Sequence, residues 1–125
     1  MDTYNLDFII AVQSESDLNS FLSRLQQEWE DLEKMPFRVF KMSGNRLEVQ
    51  ENYLYDPEKV SDPHQGYIYY RYRIMVTPED NKQPASEGSV ALTERIAFAK
   101  LLKSRLEEMG CLAKILADFD GLLEK

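Results

Sequence analysis

One histidine, one cysteine and five scattered glycines limit the chemistry open to this 125-residue chain. A single cysteine, Cys111, forms no intrachain disulfide, which excludes a secreted disulfide scaffold and points to a reducing compartment. A single histidine, His64, leaves zinc without its usual ligand set and confines any Ser-His-Asp or Cys-His triad to one loop. Gly44, Gly66, Gly88, Gly110 and Gly121 are too dispersed to build a phosphate-cradling loop. No stretch approaches the roughly 18 to 20 apolar residues that a membrane-crossing helix needs. Residues 1–13 carry Asp2 and Asp7 but no basic residue, unlike a signal peptide, so the expected location is cytoplasmic. No catalytic residue, metal or cofactor is expected.

What the chain has in quantity is acid and tyrosine. Twenty-two Asp and Glu against fifteen Lys and Arg leave a net charge of −7, which repels phosphate backbones and anionic lipid and favours a basic partner. With 43% hydrophobic and 30% charged residues, composition matches ordinary globular proteins, and the length suits a single domain over residues 1–125. The densest acidic stretch, Glu28, Glu30, Asp31 and Glu33, is expected on a solvated helix face.

Periodicity divides the chain into alternating elements. Tyr4, Leu6, Phe8, Ile10 and Val12 alternate with more polar residues as in a strand with one buried face. Ser14, with Asp17 three residues on, predicts a helix start, and Leu18, Phe21, Leu22, Leu25, Trp29 and Leu32 predict about five turns ended by Pro36. Phe37 to Met42, Arg46 to Leu54 and Tyr67 to Val76 are expected strands, the first two joined by a tight turn at Ser43-Gly44-Asn45. Two loops, 55–66 and 77–87, flank the third. Ser89 caps a second predicted helix with a stripe of Leu92, Ile96, Ala99, Leu102, Leu106 and Met109, and Gly110 closes it. Cys111 to Phe119 alternates again as a final strand. The order β-α-β-β(-β)-α-β predicts an α+β two-layer sandwich of ferredoxin-like type, an antiparallel sheet with both helices on one face.

The open sheet face then becomes the place to look for function. In the run Gly66 to Val76, alternation sends Ile68, Tyr70, Tyr72, Ile74 and Val76 inward and leaves Tyr67, Tyr69, Arg71, Arg73 and Met75 as candidate partner-binding residues. Tyrosine and arginine are the side chains on which interfaces concentrate binding energy. The competing expectation is cross-strand pairing, with Arg71 and Arg73 neutralised by Asp7, Glu48 or Gln50. Lesser candidates are the loop set His64, Asp56, Glu58 and Asp62, expected to be a solvated turn, and the carboxylates Asp118, Asp120 and Glu124, expected to be a polar strand end.

Gly66, Tyr67, Tyr69 and Tyr72 partly resemble the aromatic signature of RNA-recognition domains, with Gln65, Ile68 and Tyr70 departing from it. The resemblance implies Tyr67 and Tyr69 as base-stacking residues, whereas the negative charge disfavours nucleic acid as a partner. The leading expectation is a non-enzymatic protein-binding module, immunity- or antitoxin-like, that masks a basic partner. The alternative is a self-associating, ligand-sensing regulatory domain that forms a homodimer through the open sheet face.

Overall fold

The computed structural model describes residues 2–80 and 83–123. Its first element is a two-residue strand, β1 (Thr3–Tyr4), and the first long strand, β2, covers Phe8–Gln13. The expected single strand from Tyr4 is interrupted at Asn5, whose backbone N–H donates to the Asp118 carboxylate at 3.0 Å, and β1 pairs with β7 (Ala85–Ser86) instead.

Helix α1 spans Leu18–Glu28 and is capped by Asp17, which accepts from the Ser20 N–H at 2.9 Å; the expected cap, Ser14, is buried and accepts from the Ser16 N–H. It runs three turns rather than five. Trp29 takes an extended conformation (φ −110°, ψ 94°), which ends the helix while keeping its ring in the core. The chain then forms β3 (Glu33–Lys34) against β4 (Val39–Met42), so Glu30, Asp31 and Glu33 lie beyond the helix.

Between β4 and β5 (Asn45–Glu51), Ser43 and Gly44 both have positive φ, 51° and 77°, and Met42 faces Asn45 across a two-residue turn. Such a turn carries the twist of the flanking strands, which explains why the hairpin was legible from three residues. Strand β6 covers Tyr72–Pro78, not the expected 67–76. Helix α2 (Val90–Glu108) starts at Ser89, whose hydroxyl accepts from the Leu92 N–H, and ends before Gly110 at φ 89°. Strand β8 (Leu112–Ala117) follows.

The six-stranded sheet has the order β3-β4-β5-β6-β2-β8, antiparallel at every pairing, with Ile10 set between Ile74 and Ile115. Phe8, Ile10, Val12, Tyr72, Ile74 and Val76 share one core with Phe21 and Leu25 of α1 and Leu92, Ala99, Leu102 and Leu106 of α2. Tyr72 stacks flat on Phe21 at 4.8 Å, and Phe8 meets Phe98 edge to face at 6.5 Å. Both helices therefore cover the same face, making a two-layer α+β structure. With six strands in the main sheet and a separate two-stranded ribbon, the sheet is larger than the expected one. Among the described residues no helix is long and apolar enough to cross a membrane.

Candidate functional site

The tyrosine and arginine run splits in two. Gly66–Tyr69 forms a short 3-10 turn, and only from Tyr72 does the chain enter the sheet. The expected strand at Tyr67 is thus a correction, and its cause is the long-range bonding of the 52–71 loop. Asn52, buried at the end of β5, donates through its amide to the carbonyl oxygens of Ile68 and Tyr70, both at 2.8 Å. Gln13 on β2 accepts the Arg71 N–H at 3.0 Å, and the Asp56 N–H donates to the Tyr69 carbonyl. With these backbone groups taken by a loop and by side chains, residues 68–70 are held away from a strand partner.

Gly66 is required where the loop folds on itself. A Cβ there would sit 2.3 Å from the Val60 carbonyl oxygen, a backbone atom that has little room to move. The 3-10 turn leans against β2, which accounts for the burial of Ala11 and Gln13 on a face that no helix covers.

The five expected partner-binding residues therefore separate. Tyr67 and Tyr69 are half-buried on the loop and carry cations over their rings, Lys114 at 5.7 Å and Lys59 at 4.9 Å. Arg71 lies between Tyr55 (5.6 Å) and Tyr72 (5.5 Å) and donates to the Glu15 carbonyl, so it braces the loop. Arg73 and Met75 alone stand on β6 facing away from the helices. The base-stacking platform implied by the partial resemblance needs Tyr67 and Tyr69 on a strand, and they are not.

The open face is a ladder read across the strands. Lys114, Ala11, Arg73 and Gln50 form one row, and Leu116, Ile9, Met75 and Glu48 the next. Beside the apolar row lies a depression of about 310 Å³ lined by Ile9, Met75, Leu116 and Asp7. Arg73 does not meet the expected acidic partner: Glu48 is engaged by Arg46 at 3.0 Å and Gln50 at 2.8 Å, and the buried Nε of Arg73 makes no hydrogen bond among the described residues. Of the cations on this face, Lys41 pairs with Glu79 at 3.1 Å and Arg46 with Glu48, and Asp7 and Asp118 lie beside the depression.

Four carboxylates gather where the two helices end. Glu28, Glu30, Asp31 and Glu108 line a groove of about 440 Å³ together with Trp29 and Arg105. Arg105 binds Asp31 through two hydrogen bonds, 2.7 and 3.1 Å, which holds the Asp31 carboxyl below its ordinary range.

The minor candidates resolve simply. His64 is exposed, and the Asp62 carboxylate, held low by the backbone N–H groups of Gln65 and His64, shapes the turn. Asp118 anchors Asn5, Asp120 opens a 3-10 turn, and Glu124 lies outside the described residues. Among the described residues no group of three His, Cys, Asp or Glu is placed to hold a metal. Cys111 is a core residue whose thiol is pushed up by burial, with the Ser14 hydroxyl opposing the shift.

Sequence reasoning missed Asn52 and Gln13, which act over long separations, and Arg95, which does leave a signal. Arg95 falls on the inner stripe of α2, three residues after Leu92 and four before Ala99. Its guanidinium lies over the rings of Phe8 (4.9 Å) and Phe98 (5.6 Å), and burial pushes its pKa down to about 10. No protein-family model matches the chain, and neither does any curated protein or any solved structure.

Proposed function

We propose that the protein is a non-enzymatic binding module whose contact surface is the helix-free sheet face, centred on Ile9, Met75 and Leu116 and flanked by Arg73 and Lys114. The observation that carries this reading is Arg73, a half-buried guanidinium in no ion pair among the described residues, beside an apolar row of the sheet. A protein surface with an apolar centre and carboxylates at its rim would satisfy both. The order β5-β6-β2-β8 with two helices on one face supports a ferredoxin-like core to which β3 and β4 add an edge.

The test is capture of partners with the wild-type protein and with Arg73→Glu and Met75→Glu, alongside light scattering to detect self-association. Loss of the partner or of a homodimer in both variants, with melting unchanged, is the expected result. Retention of every interaction in both variants would overturn the reading.

A second reading rests on the acidic groove around Trp29. A basic partner, of the kind an immunity or antitoxin-like protein masks, would find Glu28, Glu30 and Glu108 there rather than on the sheet. Glu30→Lys with Glu108→Lys would abolish such binding and leave a sheet-face partner in place.

A further inference from the structure

Arg95 is 7% exposed and spends two of its three nitrogens inside the protein, Nε on the Leu6 carbonyl at 2.5 Å and Nη1 on the Asn45 side-chain oxygen. Nη2 is buried without a hydrogen-bond partner among the described residues. Buried donors are nearly always paired, and an orphaned nitrogen on a charged group is the costliest exception. The side chain lies in the wall of a groove of about 350 Å³ at one end of the sandwich, between the Ser43–Asn45 turn, Pro78 at the end of β6 and the first turns of α2. That volume lies in the range of small-molecule sites.

The rest of the lining decides which ligand. With Nε and Nη1 committed, Arg95 offers a carboxylate the single donor Nη2 together with its positive charge, and Phe98 and Ala91 offer apolar wall beside it. Asp80 and Glu94 also line the groove, so a bare polyanion such as phosphate would be repelled, while an ammonium group would be held. We propose that this groove is a binding site for a small zwitterion of the α-amino-acid class, its carboxylate on Arg95 and its ammonium beside Glu94 and Asp80. The site is separate from the open sheet face and does not depend on it.

The experiment is a thermal-shift screen of the purified chain against each of the twenty standard L-amino acids, followed by calorimetry on any that stabilises, with acetate and methylammonium as half-ligand controls. A ligand that binds the folded state raises the melting temperature with concentration. At least one amino acid is expected to stabilise where acetate and methylammonium at the same concentration do not. Arg95→Met and Glu94→Gln are each expected to weaken its binding about tenfold. Glu94 is an exposed helix residue, so Glu94→Gln remains decisive if Arg95→Met does not fold. Met75→Glu is expected to leave the affinity unchanged. The proposal is overturned if no amino acid binds better than acetate, if Glu94→Gln binds with wild-type affinity, or if Met75→Glu abolishes binding.

Discussion

The two faces of the main sheet share strands and register yet hold their side chains for opposite reasons. Toward the helices, Tyr72, Ile74 and Val76 are at most 2% exposed, and Tyr72 combines ring stacking on Phe21 with a 2.6 Å hydrogen bond from its hydroxyl to the Ser16 carbonyl. Away from them, Arg73 stands between Ala11 and Gln50, and Met75 between Ile9 and Glu48. A tyrosine inside is a packing element, whereas Tyr67 and Tyr69 outside are surfaces for lysines. Where β6 begins, not what the run contains, decides which task each aromatic performs.

The contrast breaks most visibly at Tyr72. Tyr72→Ala should cost about 3–5 kcal/mol, the range for removing a buried aromatic. Urea unfolding should show this as a lower midpoint at constant slope. A loss below about 1 kcal/mol would mean that the covered face is no more tightly packed than the open one.

The loop that shades part of the open face can be loosened in two ways. Gly66→Ala drives a methyl group into the Val60 carbonyl, and Asn52→Ala strands the carbonyls of Ile68 and Tyr70; each should cost about 1–3 kcal/mol. Hydrogen exchange should quicken at the Asp56 and Gly66 amides, which donate within this loop, while that of α2 stays slow.

Acid should loosen the Arg105–Asp31 pair at the helical end. The Asp31 carboxyl is lowered by Arg105 in the folded state, so folding favours its ionised form. That contribution is complete above the ordinary aspartate value of 3.8 and disappears as pH falls through the lowered one. Because the pair is largely exposed, the effect is at most about 1 kcal/mol, and Asp31→Asn should flatten this part of the stability-against-pH curve.

Smallest is Met75→Ala, expected to shift stability by no more than about 0.5 kcal/mol, as for an exposed position. A larger change in chemical denaturation would show that the open face contributes to the fold, which would sharpen the contrast in the other direction.

Much of this architecture was legible. Helix α2 declared itself through Ser89, its apolar stripe and Gly110, and the β4–β5 turn through Ser43-Gly44, because the signals are local and each satisfies a backbone need. Helix α1 was overextended because Trp29 and Leu32 continue the helical spacing; both remain buried or half-buried by other geometry after the helix ends. The 67–71 segment misled because its residues suit a strand well and the bonds that prevent one come from Asn52 and Gln13, far away in sequence. Of the candidate site, Arg73 and Met75 were found by alternation alone. Arg95 is hidden by its residue type, since a charged side chain on an apolar stripe reads as a break in the stripe although it is buried there.

The two margins of the main sheet are unequal. One ends in β3, only two residues long, and the other in β8, six residues long with Lys114 near its middle. Short edges and lysines both discourage strand addition, so the first margin is closed and the second only guarded. Growth from β8 alone, between two like copies, would join two sheets edge to edge and then stop, since both outer margins would be β3. The sheet is thus built so that any edge-to-edge association ends as a closed pair and not as a fibre.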